Sequence, residues 1–151
     1  AALAAKGVNS TTVTLHVGPG TFRPVKGENI GDHRMDAEEY EVPPATAARL
    51  ERARAEGGRV IAVGTTATRT LETVWAEGRY RPSRGRTALF LHPPGEFRAI
   101  DALVTNFHLP EGTPIMLAAA FAGRERLLES YRVAIAEGYR FFSYGDAMLA
   151  L

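Results

Sequence analysis

"RVIAVGTTATRTLETVWAEG", Arg59 to Gly78, decides the fold class. Its first six residues, 59–64, are a short apolar run of the kind found in a buried strand. Gly64 breaks the run and a helical pattern follows at once. Leu71, Val74 and Trp75 fall on one stripe of that helix, and Gly78 stands where a C-terminal cap belongs. A strand that feeds directly into a helix is the repeating unit of an α/β protein.

The flanks extend the pattern. Upstream, "TTVTLHV" (11–17) alternates and is β-branched, which predicts a strand ended by Gly18-Pro19-Gly20. "KGENIGDHRMDAEEYEVPP" (26–44) is polar and irregular, and reads as an ordered excursion with a short strand at Glu39–Val42. Pro44 opens a helix over Ala45–Glu56, with Gly57-Gly58 as its stop. Downstream, "TALFLHPPG" (87–95) reads as a strand ending in a turn, and "DALVTNFHLPEG" (101–112) as a strand running into a loop. "TPIMLAAAFAG" (113–123) is a helix with Thr113 as N-cap and Pro114 at the first position. "RERLLESYRVAIAEG" is a second helix, and "YRFFSYGDAMLAL" closes as strand, turn, strand. The expected fold is α/β, a layered and largely parallel sheet flanked by helices, in one domain over 1–151.

Composition narrows the function. The 151 residues are 45% hydrophobic and 23% charged, the balance of an ordinary globular domain. No apolar run approaches the roughly 20 residues of a membrane-spanning helix, so no membrane partner is expected. The absence of cysteine excludes disulfides, thiolate catalysis and cysteine-based zinc sites, and fits a reducing cytoplasm. A net charge of +1 makes the whole chain no strong polyanion binder. Lysine occurs only at 6 and 26, and arginine carries every other cation. Arginine forks suit phosphates and stacking, although a GC-rich genome gives the same bias.

Parallel α/β sheets carry their sites at the carboxyl ends of strands. That rule selects four loops: His16–Arg23, Gly64–Arg69, Thr105–Pro110 and Ser143–Asp146. Thr65 and Thr66 open a helix, where backbone N–H groups favour an anion or a polar carbonyl; they equally suit a plain N-cap. "TNFHLP" groups Asn106, which can read a base edge, Phe107, which can stack, and His108, which can shuttle a proton. A capped strand end with one buried ring has the same composition. His16 and His108 lack partners at ligand spacing, so no metal is expected. "DHRMDAEEY" clusters Asp32, His33, Asp36, Glu38 and Glu39. Carboxylates so grouped can do acid–base work when burial separates their pKa values, and are otherwise a solvated loop. Arg49, Arg52, Arg54 and Arg59 could face RNA phosphates or solvent.

Together and in this order, "LHVGPGTFRPV", "ENIGDHRM…EEYEV", "RVIAVGTTATRTLE", "DALVTNFHLP", "MLAAAFAG" and "YRFFSYGDAML" resemble the S-adenosylmethionine:tRNA ribosyltransferase-isomerases of queuosine biosynthesis. The family's polypeptide is longer, and this chain is similar to its C-terminal half, without the N-terminal segments and the β-barrel region. The resemblance implies a two-domain parent enzyme, monomeric and cytoplasmic. Its reaction would move the ribosyl group of S-adenosylmethionine to 7-aminomethyl-7-deazaguanine at the tRNA wobble position. Rearrangement then gives epoxyqueuosine, while adenine and methionine leave. S-adenosylmethionine is a consumed substrate, and no cofactor or metal is implied.

That chemistry needs a base for the carbon beside the sulfonium, an acid for departing adenine, and contacts for a flipped-out base. His16 or His108 would transfer protons. Glu38 and Asp146 would balance the sulfonium or bind the aminomethyl cation. Gly18, Gly20, Thr21, Phe22 and Arg23 would form a loop around the nucleoside; Thr65, Thr66, Arg69 and Asn106 would position substrate; Phe22, Phe107 and Tyr144 could stack. The chain departs from the family pattern at Asp36, which replaces a histidine, and at Pro19 in the Gly-Pro-Gly turn, a stiffer version of Gly-Leu-Gly. "FLHPPGEF" replaces a more aromatic segment, which leaves His92 outside the carry-over. A non-catalytic RNA-binding or scaffold domain is the alternative.

Overall fold

The computed structural model describes residues 2–22, 24–25 and 29–151, Phe22 by its backbone alone. After a short helix α1 (Ala2–Ala5), the chain runs β1 (Thr14–Leu15), β2 (Glu38–Val42), α2 (Pro44–Ala55), β3 (Ile61–Val63) and α3 (Thr65–Val74). β4 (Trp75–Ala76), β5 (Arg79–Tyr80), β6 (Ser83–Thr87) and β7 (Ala102–Asn106) follow, then α4 (Thr113–Ala122), α5 (Arg124–Ala136) and β8 (Ala147–Ala150). None of the described helices is long and apolar enough to cross a membrane.

The strands form three small sheets, ordered β1-β2-β6, β3-β7-β8 and β4-β5. Among the described residues only β3 and β7 pair in parallel; the other pairings are antiparallel. The expected largely parallel sheet is therefore corrected to a mixed α/β arrangement with one parallel pair. The reason lies between β3 and β7. Where one helical crossover was expected, the chain inserts the β4-β5 hairpin and β6, which returns to pair with β2.

Each local misreading has a physical cause. The helix expected to reach Gly78 stops at Val74, because Glu77 and Gly78 both take positive φ, 52° and 77°, in a two-residue hairpin turn. Trp75 and Tyr80 then meet edge-on across the hairpin at 4.8 Å, and the Arg54 guanidinium covers the Trp75 ring at 4.7 Å. The strand expected at 87–95 lies earlier, at Ser83–Thr87, a polar run whose alternate residues are half-buried or buried. The strand expected at the start of 139–151 is absent among the described residues: Phe142 has φ 69° and its N–H bonds to the Phe107 carbonyl at 2.8 Å. Strand 11–17 contracts to Thr14–Leu15, with the His16 N–H continuing the ladder onto Glu39 O at 2.8 Å. In the apolar run 59–64, Ala62 is buried but Ile61 and Val63 are 45% and 71% exposed, so β3 is buried on one face alone.

Two apolar clusters hold these parts. The larger joins Leu50 of α2, Val60, Leu71 and Val74 of α3, Tyr80, Ile100, Leu103 of β7 and Leu117 of α4. The smaller joins Phe107, Ala118, Leu127, Tyr131 and Ala134 beneath α4 and α5. Helix α3 follows β3 directly and α4 follows β7 after the loop 107–112, so both helices begin on the carboxyl side of the parallel pair, where α/β sites lie.

Candidate functional site

The loop after β1 closes as a 3-10 turn over Pro19–Phe22. Glu38, at the start of β2, fastens it. Its Oε1 accepts the Gly18 N–H at 2.8 Å and the Thr21 hydroxyl at 2.7 Å, and its Oε2 accepts Arg69 Nη1 at 2.6 Å. The side chains of Glu38 and Arg69 are 3% and 5% exposed. Burial alone would raise the Glu38 pKa, but hydrogen bonds from Thr21, Gly18 and Arg69 outweigh it and hold the carboxyl below its ordinary value. In this geometry Glu38 holds a loop, and its charge is already matched by Arg69.

Arg69 continues the network. Nε donates to the Leu89 carbonyl at 3.1 Å and Nη1 also to Thr21 Oγ1 at 3.3 Å. Thr113 Oγ1 donates to the Thr21 carbonyl at 2.8 Å. Gly20 lies against Asp36, and a Cβ there would collide with the Asp36 side chain. Four segments distant in sequence thus gather around one loop. Thr21, Thr65, Arg69 and Thr113 line a narrow cleft, partly open to solvent, whose other walls include Met35, Leu89, Phe90 and Leu91. Neither α3 nor α4 has a side-chain cap; Gly64 and Gly112 occupy the cap positions. Thr113, expected as N-cap, is the first helical residue, and its hydroxyl serves the loop.

A second cluster forms where β7 ends. The His108 N–H donates to the Tyr131 hydroxyl oxygen and its Nε2 lies 2.8 Å from Thr105 Oγ1, the Tyr131 contact also being 2.8 Å. Burial pushes the His108 pKa down to about 4, so the imidazole is neutral at pH 7. Asn106 Nδ2 donates to the Asp146 carbonyl at 3.3 Å, while Asp146 Oδ2 accepts the Arg140 N–H at 2.7 Å and closes the 140–146 turn. Phe107 is 5% exposed and packed by Tyr131, Tyr139 and Phe141, so its ring is a core element without an open face for stacking. Tyr144, 95% exposed, is the most exposed of the aromatics described at this end, ahead of Tyr139 and Phe142.

The structure therefore brings together Gly18, Gly20, Thr21, Glu38, Thr65 and Arg69, and separately Asn106, His108 and Asp146. His16 is exposed and neither histidine lines the cleft. Thr66 uses its carbonyl to accept the Thr70 hydroxyl. Arg23 and the Phe22 side chain lie outside the described residues. Arg54, read as part of a basic face, is tied to Tyr80, Asp101 and the Arg98 carbonyl. The parts played by Tyr131 and Leu89 have no sequence signal, since a carbonyl and a core tyrosine leave no mark in a sequence, and the Thr113 hydroxyl serves the loop in place of the expected cap. Among the described residues no three His, Asp or Glu side chains group as metal ligands.

Comparison with known proteins adds to this geometry. The sequence model of the family described as "Queuosine biosynthesis protein" matches residues 1–150. An S-adenosylmethionine:tRNA ribosyltransferase-isomerase of Anaeromyxobacter dehalogenans strain 2CP-C is 60% identical over 151 residues, all of this chain and 44% of the relative. One from Acidithiobacillus ferrooxidans strain ATCC 53993 / BNL-5-31 is 62% identical over 148 residues, 98% of this chain and 43% of the relative. The crystal structure of an S-adenosylmethionine tRNA ribosyltransferase from Thermotoga maritima superposes with a TM-score of 0.82 at 47% identity, covering 99% of this chain and 47% of that one. The chain thus spans less than half the length of these relatives.

Proposed function

The chain belongs to the queuosine biosynthesis protein family, and from that premise we propose that the protein containing it is an S-adenosylmethionine:tRNA ribosyltransferase-isomerase. Its substrates would be S-adenosylmethionine and tRNA carrying 7-aminomethyl-7-deazaguanine; its products would be epoxyqueuosine-tRNA, adenine and methionine. One observation carries this reading. Loop 18–22 and the first turns of α3 and α4 converge on one cleft at the carboxyl end of the β3/β7 pair. These are segments whose sequences resemble the family.

In this reading Glu38 and Arg69 are positioning residues that fix the loop against which the nucleoside lies. His108, neutral at pH 7, can accept a proton and cannot supply one as imidazolium. His16, exposed beside the loop, is the other proton-transfer candidate. Asn106 and Tyr144 would meet the base from the second cluster.

The test is turnover by the full-length protein. Incubation with substrate tRNA and S-adenosylmethionine should yield epoxyqueuosine by mass spectrometry with one adenine released per transfer. No product with correctly modified tRNA refutes the proposal. Full turnover in both His16→Ala and His108→Ala would remove the proton-transfer roles.

A further inference from the structure

Arginine carries five N–H donors, and in Arg69 one nitrogen is unmatched. Nε and Nη1 are engaged by Leu89, Glu38 and Thr21, but Nη2 is buried with no hydrogen-bond partner. A buried donor left unmatched bears its full desolvation cost, and more when charged. The same residue lines the cleft, together with Thr65 and Thr113, the first residues of α3 and α4. Both helices are ten residues long and lack a capping side chain. Their first-turn N–H groups, of which Pro114 in α4 has none, carry partial positive charge. Two uncapped N-termini and an unmatched guanidinium nitrogen border one space.

We propose that this cleft binds an anionic oxygen group, a carboxylate or a phosphate, on Arg69 Nη2 and the first-turn amides of α3 and α4. The Glu38–Arg69 pair is close to neutral as a unit, so an anion here would be held by the directed donors of Nη2 and the helix amides and not by net charge. Met35, Leu89, Phe90 and Leu91 make the remaining wall apolar, which suits a carboxylate on a slender carbon chain better than a phosphodiester flanked by two sugars. The identity of the ligand rests on the proposed function: the donor's methionine carboxylate is one source and a tRNA phosphate the other.

The experiment measures binding without turnover in the full-length protein. Calorimetry compares S-adenosylmethionine with its decarboxylated analogue, which keeps the sulfonium and the nucleoside. The wild type should favour the carboxylate form by about tenfold or more, the worth of a charge-assisted hydrogen bond. Arg69→Lys, which keeps the charge for Glu38 but loses the fork, should bring the two ligands within about threefold. If Arg69→Lys instead weakens tRNA about tenfold and leaves the carboxylate preference intact, the anion is a phosphate. No change in either, in a variant with the wild-type unfolding midpoint, overturns the proposal. Should Arg69→Lys fail to fold, Thr65→Pro makes the same comparison, because proline is tolerated at the first helical position and removes one donor there. Absent product with the carboxylate preference intact would refute the proposed reaction and not this site.

Discussion

Replacing Glu38 by alanine should be among the most damaging single changes in this chain. The substitution strands the Gly18 N–H, the Thr21 hydroxyl and a guanidinium only 5% exposed. Breaking a buried ion pair by removing one partner costs about 3–5 kcal/mol, because the other charge stays buried and unpaired. With a urea m-value of about 2 kcal/mol/M, a loss of about 4 kcal/mol lowers the midpoint by about 2 M. Glu38→Gln keeps an acceptor for Gly18 and Thr21 and should lose less. Arg69→Met in the Glu38→Ala background should recover part of the loss, with a coupling of about 2 kcal/mol in the double-mutant cycle. The pH dependence carries a sign. The folded pKa of Glu38 lies below its ordinary value, so the stabilisation is present above the unfolded pKa of about 4.3 and is lost as pH falls below it. The alanine penalty should therefore shrink in acid. Urea unfolding followed by circular dichroism decides the matter. A penalty under about 1 kcal/mol, additive with that of Arg69→Met, would refute the idea that the pair holds the loop.

His108 gives a second pH signature, at a different place. Its folded pKa of about 4 lies below the usual 6.5, so stability is full above about 6.5 and declines as pH falls toward 4, by at most about 3 kcal/mol. His108→Gln should flatten that part of the midpoint-against-pH curve, and an unchanged slope would contradict the burial argument. Gly20→Ala should cost about 1–3 kcal/mol through its collision with Asp36. Asp36→Ala in the same chain should relieve most of that cost; equal losses with and without Asp36 would show that the obstacle lies elsewhere.

The sequence revealed helices better than strands. Pro44, Gly57 and the stripe of Leu71 and Val74 marked α2 and α3 within a few residues, since caps and periodicity are local signals. Strand partners are not local. β6 is polar because it runs beside β2 at the surface, whereas the apolar run nearby, at 87–95, forms no strand beyond Thr87. Gly78 was legible as a left-handed residue, but whether it ends a helix or turns a hairpin depends on Tyr80 meeting Trp75. The same limit applies to the site. Glu38, Thr21 and Arg69 were each visible as candidates, yet nothing local says that a carboxylate read as a ligand for a cation already holds an arginine 31 residues further on. Phe107 looked available for stacking because its neighbours in sequence are polar; the rings that enclose it come from residues 131 to 141.

The bond from Thr113 to the Thr21 carbonyl spans 92 residues. During synthesis, at about 5–20 residues per second, loop 18–22 waits roughly 5 to 20 s for that partner to be made. Closing so long a segment is slow compared with local helix formation. The loop should therefore reach full protection from hydrogen exchange well after α2 and α3. Its order then reports the arrival of α4: a nascent or truncated chain lacking α4 would hold its helices while the loop, tied only to Glu38 and Arg69, stays less protected than in the whole chain.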